Sequence, residues 1–290
     1  MLRLIKAFFF KIFRDLTFRI TLIIGVALAF VTTFGIYAIG LLAGEGDAEI
    51  AKSMLNGQSM LITSLSPAQN FGIAIPVNLI CFVALEFTHG TIRNKIIAGN
   101  SKFNIYISML VSGLFFAFAL LFVYVGLCTG IGSILGGFDA NGEGSLLTLS
   151  SGAFTPVYIV KMVVLGLLTY VSIVSFTIFI VTTFRNIGPS IPVVILLIYA
   201  CYLAATLIST FASGLEQLGD HTLDNVVWVA RIIDPLYGIS SSEMVVNMET
   251  GEAKRIVSNE TFISGIINNL AYTALFTFFG VLEFTKRDVK

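Results

Sequence analysis

Residues 103–136 read FNIYISMLVSGLFFAFALLFVYVGLCTGIGSILG, without a single Asp, Glu, Lys, Arg or His. A helix rises about 1.5 Å per residue, so about 20 apolar residues are enough to cross a hydrocarbon layer of about 30 Å. This stretch exceeds that length. It predicts a membrane-spanning helix and therefore an integral membrane protein.

The composition of the whole chain agrees with that prediction. Of the 290 residues, 56% are hydrophobic and only 12% are charged, too few to cover a soluble globule. Six uncharged runs reach spanning length, and none shows the alternation typical of a β-barrel strand. We therefore predict an all-α membrane protein with one polytopic domain over residues 1–290. The six runs are residues 20–43, 68–85, 103–136, 162–184, 186–215 and 261–282.

The charges between these runs are distributed unevenly. With six crossings both termini lie on the same side, and that side receives 12 of the 17 Lys and Arg residues but only 4 of the 17 acids. Basic residues concentrate in cytoplasmic segments. We therefore expect both termini and segment 86–102 to be cytoplasmic, and loop 216–260, with an interfacial helix around Trp228, to lie outside.

The N-terminal segment 1–19 has the pattern of an amphipathic helix. At about 100° per residue its apolar residues gather on one face, while the basic residues point elsewhere. Such a helix lies at the membrane surface with its basic side chains toward anionic lipid headgroups. It would anchor the chain, or also contact a partner. The predicted apolar face consists of Ile5, Phe9, Ile12, Phe13, Leu16 and Ile20.

Segment 86–102, EFTHGTIRNKIIAGNSK, is the polar island between the second and third runs. Gly90 ends the preceding helix and Thr91 can cap a new one, while Gly99 stops it and Ser101 can cap the third run. These signals predict a two-turn helix. We expect one side to carry Ile92, Ile96 and Ile97 and the other to carry Arg93, Asn94 and Lys95.

Glu86 stands at the base of this island. A carboxylate at the bilayer centre costs roughly 2.5 to 3.5 kcal/mol, so its place at the membrane edge is favourable. Two interpretations remain open. Glu86 either marks the interface, or it pairs with a basic residue and ties the short helix to the N-terminal helix. The candidate partners are Arg14, Arg19 and Arg93.

Small and polar residues inside the runs are candidates for helix packing or for the wall of a transport path. Two pairs of glycines, each pair with a spacing of four, would let backbones approach closely in the third run. Pro76 could kink the second run, with polar side chains nearby to satisfy the freed carbonyl. The candidates are Asn70, Pro76, Asn78, Gly126, Gly130, Gly132 and Gly136.

Several function classes fit the sequence poorly. The runs lack the ionisable residues that a proton-coupled carrier keeps near the bilayer centre. The two histidines, His89 and His221, fall in loops on opposite sides, which disfavours an intramembrane enzyme. The chain contains no G-x-x-x-x-G-K-[ST] phosphate loop, so it cannot handle ATP by that motif. A membrane scaffold or sensor component remains an alternative.

The island resembles a segment of bacterial ABC-2 type ABC transporter permeases, of the drug and bacteriocin-immunity exporter kind. The resemblance rests on Glu86, the run from Gly90 to Lys95, Gly99, Ser101-Lys102 and Tyr106, and more weakly on the ending EFTKRDVK. It implies that segment 86–102 is a coupling helix that docks onto a separate ATP-binding subunit. The residues implied in that contact are Glu86, Thr91, Ile92, Arg93, Asn94, Lys95 and Ile96.

The resemblance also implies the rest of the assembly. Two permease copies, identical or related, would pair with ATPase subunits that hold ATP and Mg²⁺, so this chain would need no cofactor, metal or catalytic residue of its own. It would act in the bacterial cytoplasmic membrane, in contact with lipid and without a nucleic-acid partner. The uncharged interior favours a drug, lipid or antimicrobial peptide as cargo. A sodium-extruding permease of the same family is the alternative.

Overall fold

The computed structural model describes residues 2–42, 55–67, 71–138, 156–216, 243–246 and 253–287. These residues form nine helices and two short strands. They are α1 (Leu2–Arg14), α2 (Leu16–Leu42), α3 (Gly57–Leu65), α4 (Phe71–Thr88), α5 (Thr91–Ile97), α6 (Lys102–Gly136), α7 (Pro156–Phe184), α8 (Ile187–Glu216), β1 (Glu243–Val246), β2 (Ala253–Ile256) and α9 (Asn259–Lys286).

The long helices show a multi-pass membrane protein. Five of them, α2, α6, α7, α8 and α9, are each long and apolar enough to cross a membrane. Helix α4 has 18 residues, and together with α5 it forms a pair bent by 57° that could supply a sixth crossing. Each of the six runs of the sequence overlaps one of these helices. The helical membrane class is thus confirmed, with five to six candidate spans.

Helices α6 and α7 form the centre of the bundle. Helix α7 is the most buried of the five long helices, whereas few residues of α2, α8 and α9 are fully buried. The most extensive contact is between α9 and α7, and α2 and α3 both pack on α6. The exposed apolar side chains of the outer helices have the character of a lipid-facing surface. They include Ile23, Val31, Leu196, Leu203, Ile267 and Phe278.

The N-terminal helix ends earlier than predicted. Helix α1 stops at Arg14, and the Asp15 carboxylate accepts a hydrogen bond from the backbone N–H of Thr17 at 2.8 Å, which caps α2. The buried stripe of α1 is Leu4, Phe8 and Ile12. Part of the predicted apolar face is instead exposed, because the helix breaks at Asp15 and the last two members of that face belong to α2. The exposed members are Phe13, Leu16 and Ile20.

Helix α3 is an element that the sequence did not predict. Its first residues, Gly57 and Gln58, donate backbone hydrogen bonds to the carbonyls of Gly137 and Phe138, at 2.9 and 3.0 Å. The Asn56 side chain caps it by accepting from the Ser59 N–H at 2.7 Å. Helix α3 is therefore fastened to the end of α6.

A two-stranded antiparallel hairpin lies within the segment predicted as loop 216–260. Strands β1 and β2 pair in a register that sets Glu243 opposite Ile256 and Val246 opposite Ala253. The hairpin was not predicted, so the all-helical description holds for the spans but not for this connection. The interfacial helix predicted around Trp228 lies outside the described residues.

Candidate functional site

The corner between α4 and α5 is made by a glycine in a conformation that other residues adopt only with strain. Gly90 has φ of 65°, and its N–H donates to the Phe87 carbonyl at 3.1 Å. Thr91 was predicted as the helix cap, but Gly90 takes that position and no side chain caps α5. Thr91 is instead the first residue of α5, and its hydroxyl is directed back to Glu86.

The other end of α5 closes in a Schellman motif. Gly99 has φ of 84°, its N–H donates to the Ile96 carbonyl at 2.9 Å, and the Asn100 N–H donates to the Lys95 carbonyl at 3.3 Å. The Ser101 side chain then caps α6 by accepting from the Asn104 N–H. The predicted two-turn helix between two glycines and the Ser101 cap are confirmed.

Glu86 is the centre of a buried polar cluster. Its side chain is only 2% exposed. One carboxylate oxygen pairs with the Lys11 ammonium, and the other lies 2.8 Å from Lys95 Nζ and 2.6 Å from the Thr91 hydroxyl. The Thr91 hydroxyl also lies 2.8 Å from the Glu86 backbone carbonyl. We call Glu86, Lys11, Thr91 and Lys95 the Glu86 cluster; it joins α1, α4 and α5.

The candidate partners of Glu86 were wrong, but of the two open interpretations the structure has the second, a tie to the N-terminal helix. The guanidinium groups of Arg14, Arg19 and Arg93 belong to exposed residues, and the Arg19 side chain bonds the Phe13 carbonyl at 3.3 Å. Burial of the Leu4–Phe8–Ile12 stripe brings Lys11, which adjoins it, toward α4. On α5, the burial of Ile92 and Ile96 likewise turns Lys95, which shares their face, toward Glu86.

Aromatic rings support both lysines of the cluster. Lys95 Nζ lies 3.5 Å from the centroid of the Phe8 ring, and Lys11 Nζ lies 4.9 Å from that of Phe82. Such contacts are attractive because the ring face is electron-rich. Burial lowers the pKa of the Lys95 ammonium, and the Glu86 carboxylate opposes that shift by favouring the charged form. Two cations thus share one buried anion.

The two faces of α5 differ from the predicted ones. Ile92 is fully buried and Ile96 packs against the core, but Ile97 is 73% exposed. Positions 92, 95 and 96 share the inward face, because residues three and four apart are neighbours on a helix. The exposed face of α5 therefore carries Arg93, Asn94 and Ile97.

The intramembrane candidates fall at separate places. The Thr21 hydroxyl donates to the Asn78 amide oxygen and links α2 to α4, and the Asn78 amide N–H bonds the Ala74 carbonyl at 2.7 Å. Helix α4 continues through Pro76. Asn70 lies outside the described residues.

The four glycines of α6 divide into two pairs. A Cβ on Gly132 would lie 2.8 Å from the Leu55 carbonyl oxygen, and one on Gly136 would lie 3.1 Å from the Asn56 nitrogen. At Gly132 and Gly136, the backbone that precedes α3 approaches α6 closely. Gly126 and Gly130 are exposed and would meet no described atom within 4 Å.

A second polar group, which the sequence did not single out, joins the ends of α6, α7 and α9. Lys102 Nζ donates to the Thr285 and Arg287 carbonyls at 3.0 and 2.9 Å. Glu283 accepts from the Thr183 hydroxyl at 2.6 Å and pairs with Arg287 at 3.1 Å. The only signal in the sequence was the charged ending after the last run.

The described ranges contain no group of three or more His, Cys, Asp or Glu residues able to hold a metal ion. The Glu86 cluster supplies positive charge and apolar surface rather than a ligand set for a cation. Its ion pairs and hydrogen bonds attach α1 and α5 to α4.

Comparisons with known proteins identify a family. No curated protein and no solved structure matches the chain. A family model described as a protein of unknown function, DUF2705, matches residues 47–290, which is most of the sequence. The chain therefore belongs to the DUF2705 family.

Proposed function

We propose that this chain is the permease subunit of an ATP-driven exporter of the ABC-2 type. In this proposal α2, α4, α6, α7, α8 and α9 cross the cytoplasmic membrane, and α1 and α5 lie on its cytoplasmic side with both termini. The main support is the geometry of α5. It is a short helix bounded by two glycines, fixed to its neighbours by a buried ion cluster, with an exposed face that no described residue covers.

The partner would be a separate ATP-binding subunit. The exposed face of α5 offers one apolar side chain, Ile97, beside the polar Arg93 and Asn94, and a contact of this kind combines an apolar centre with a polar rim. ATP and Mg²⁺ would be held by that subunit, because this chain has no phosphate loop. A second permease copy would complete the transport path.

Force applied to α5 would reach most of the bundle. The Glu86 cluster passes a displacement of α5 to α4, which contacts α7 and α8, and to α1, which contacts α6. The uncharged lining of the helices suits a hydrophobic or amphipathic cargo, such as a drug, a lipid or an antimicrobial peptide, better than a small ion that must lose its water.

Introducing acidic residues on the exposed face of α5 tests the proposed partner. We expect the double variant Arg93→Glu, Ile97→Asp to weaken association with the co-expressed ATPase by about tenfold or more, since apolar and Arg anchors dominate interfaces. The measurement is the amount of ATPase that co-purifies with tagged permease, together with stimulated ATP hydrolysis. Ile92→Asp is unsuitable as a test, because Ile92 is fully buried.

The matched control for that experiment is Lys286→Glu, which reverses an exposed charge at the end of α9. It should leave co-purification unchanged. Equal ATPase recovery with the double variant and with the control would contradict the proposed contact, provided that both variants insert and unfold at the same temperature as the natural chain.

The proposed orientation has its own test. After replacement of Cys81, Cys128 and Cys201 by alanine, single cysteines are introduced as Asn94→Cys and Ser240→Cys. An impermeant thiol reagent added to intact cells should label the cysteine at 240 and leave the one at 94 unlabelled until the membrane is opened. The reverse pattern would refute the orientation.

A further inference from the structure

A groove runs between α8 and α9 with α7 as its floor. Both helices pack against α7, but among the described residues they make little contact with each other. The space between them includes a cavity of about 260 Å³. The groove is therefore a gap between α8 and α9, which both lie on α7.

The lining of this groove is apolar and largely aromatic. Ile173 and Phe176 form a buried floor, and the Phe276 ring of α9 lies 4.8 Å from that of Phe176. Tyr272 stacks on Phe276 at 5.6 Å. Leu197 of α8, 41% exposed, stands at the mouth. None of the described lining residues is charged, so nothing in the groove would pair with an ionic ligand.

The groove lies near the middle of the helices that form it. Tyr272 is about as far from Asn259 as from Lys286, the two ends of α9, and Cys201 is similarly central in α8. Both helices, like α7, are long and apolar enough to span a membrane. The mouth at Leu197 consequently opens at the depth of the lipid tails, where the surrounding medium is hydrocarbon.

We propose that this groove binds one acyl chain of a membrane phospholipid, which enters sideways between α8 and α9. The cavity is larger than the roughly 150 Å³ that holds a benzene molecule in an apolar protein interior, so a chain segment fits. Aromatic and aliphatic walls on three sides give that segment more dispersion contacts than the flat side of a helix does. The headgroup remains at the membrane surface, where it needs no partner in the groove.

Photochemical labelling tests this site on the full-length chain in lipid nanodiscs. The probe is a phosphatidylcholine with a diazirine at the middle of one acyl chain, and the labelled residues are identified by mass spectrometry. We expect labelling around Leu197 and Phe276 to exceed that around Leu203 by about fivefold, a preference that corresponds to a modest gain in affinity. Leu203 is 57% exposed on the same helix and does not line the groove.

Two variants make the outcome specific. Cys201→Trp fills the groove from α8, and Leu197→Trp blocks its mouth from an exposed position, so at least the second should fold normally. Each is expected to remove the excess labelling, while Leu203→Trp is expected to leave it. The thermal unfolding temperature of each variant is measured to check that the fold is retained.

Equal labelling of the groove and of Leu203 in the natural chain would overturn the proposal. So would excess labelling that survives Leu197→Trp, or crosslinks from the groove to a second copy of the chain in place of lipid. The experiment needs no ATPase and no transport assay, so its outcome is independent of the proposed permease function.

Discussion

Replacing Glu86 by glutamine is expected to lower the free energy of unfolding by about 2 kcal/mol, because the buried carboxylate is lost while the two lysines, 35% and 20% exposed, can only partly regain water. Here two ammonium groups, those of Lys11 and Lys95, would lose their shared carboxylate. The measurement is thermal unfolding of the purified chain in detergent, with hydrogen exchange to show where the structure loosens. Exchange should rise in α1 and α5 before it rises in α7.

The matched control for this prediction is Glu283→Gln. Glu283 also pairs with a basic residue, Arg287, but its side chain is 27% exposed and that of Arg287 is 55% exposed. An exposed pair of this kind contributes about 1 kcal/mol or less. If Glu86→Gln and Glu283→Gln destabilise the chain equally, the Glu86 cluster is no more than a surface ion pair.

A further variant distinguishes the effect of leaving two lysines without a counter-charge from the effect of changing the packing around residue 86. Combining Glu86→Leu with Lys11→Met and Lys95→Met removes all three charges together, and apolar replacements of a buried ion group are often neutral or stabilising. We expect this triple variant to be more stable than Glu86→Gln alone. It would keep α1 packed on the bundle while removing the polar connection to α5.

Leucine at two nearby glycines of α6 should have different effects on stability. Gly132→Leu is expected to destabilise the chain by about 1 to 3 kcal/mol, since an overpacked contact forces the surroundings to shift. Its first side-chain atom would already lie 2.8 Å from the Leu55 carbonyl oxygen and 2.7 Å from the Met60 side chain. A backbone atom cannot move aside as a flexible side chain can.

Gly130→Leu is the matched variant on the same helix. Gly130 is exposed with no described atom within 4 Å of an added Cβ, and leucine favours the helix by about 0.8 kcal/mol over glycine. We expect no loss of stability, or a slight gain. Both variants are compared by thermal unfolding in the same detergent. Similar losses at the two positions would contradict the packing of α3 on α6.

Hydropathy predicted the membrane-embedded part of the fold well. Each long uncharged run lies in or overlaps a helix because a helix satisfies all of its backbone hydrogen bonds within one segment, as hydrocarbon requires. The observed helix ends differ from the predicted ends of the runs by a few residues. Helix α7 begins at Pro156 rather than at residue 162 because the helix includes Lys161, whose ammonium bonds the Val257 carbonyl at 2.7 Å. A charge that reaches a partner at the helix end does not terminate the helix.

The elements that were missed lack such a strong signal. Helix α3 has only nine residues, and the polar Gln58, Ser59 and Thr63 obscure its apolar pattern. It is stabilised by the facing glycines of α6, which a local pattern cannot reveal. The strands β1 and β2 have four residues each, and Glu243, Lys254 and Arg255 give them the composition of a loop.

The candidate site was predicted as a segment but not as a set of contacts. The glycines around α5 are local signals, and they placed the helix correctly. Glu86 had five basic residues of the N-terminal segment within plausible reach, and only the packing of α1 decides which of them faces inward. The observed Lys11 lies three positions before the predicted Arg14, and the observed Lys95 lies two positions after the predicted Arg93.

The anchoring of Lys102 determines how α5 can move. Lys102 follows α5 by five residues and holds the last carbonyls of α9, while Glu86 precedes it by five residues and holds Lys11 of α1. The short helix is thus flanked on both sides by residues that bond to neighbouring helices. We therefore expect a force on its exposed face to displace the ends of α4, α6 and α9 together, so that the stiffness of this corner depends on several helices at once.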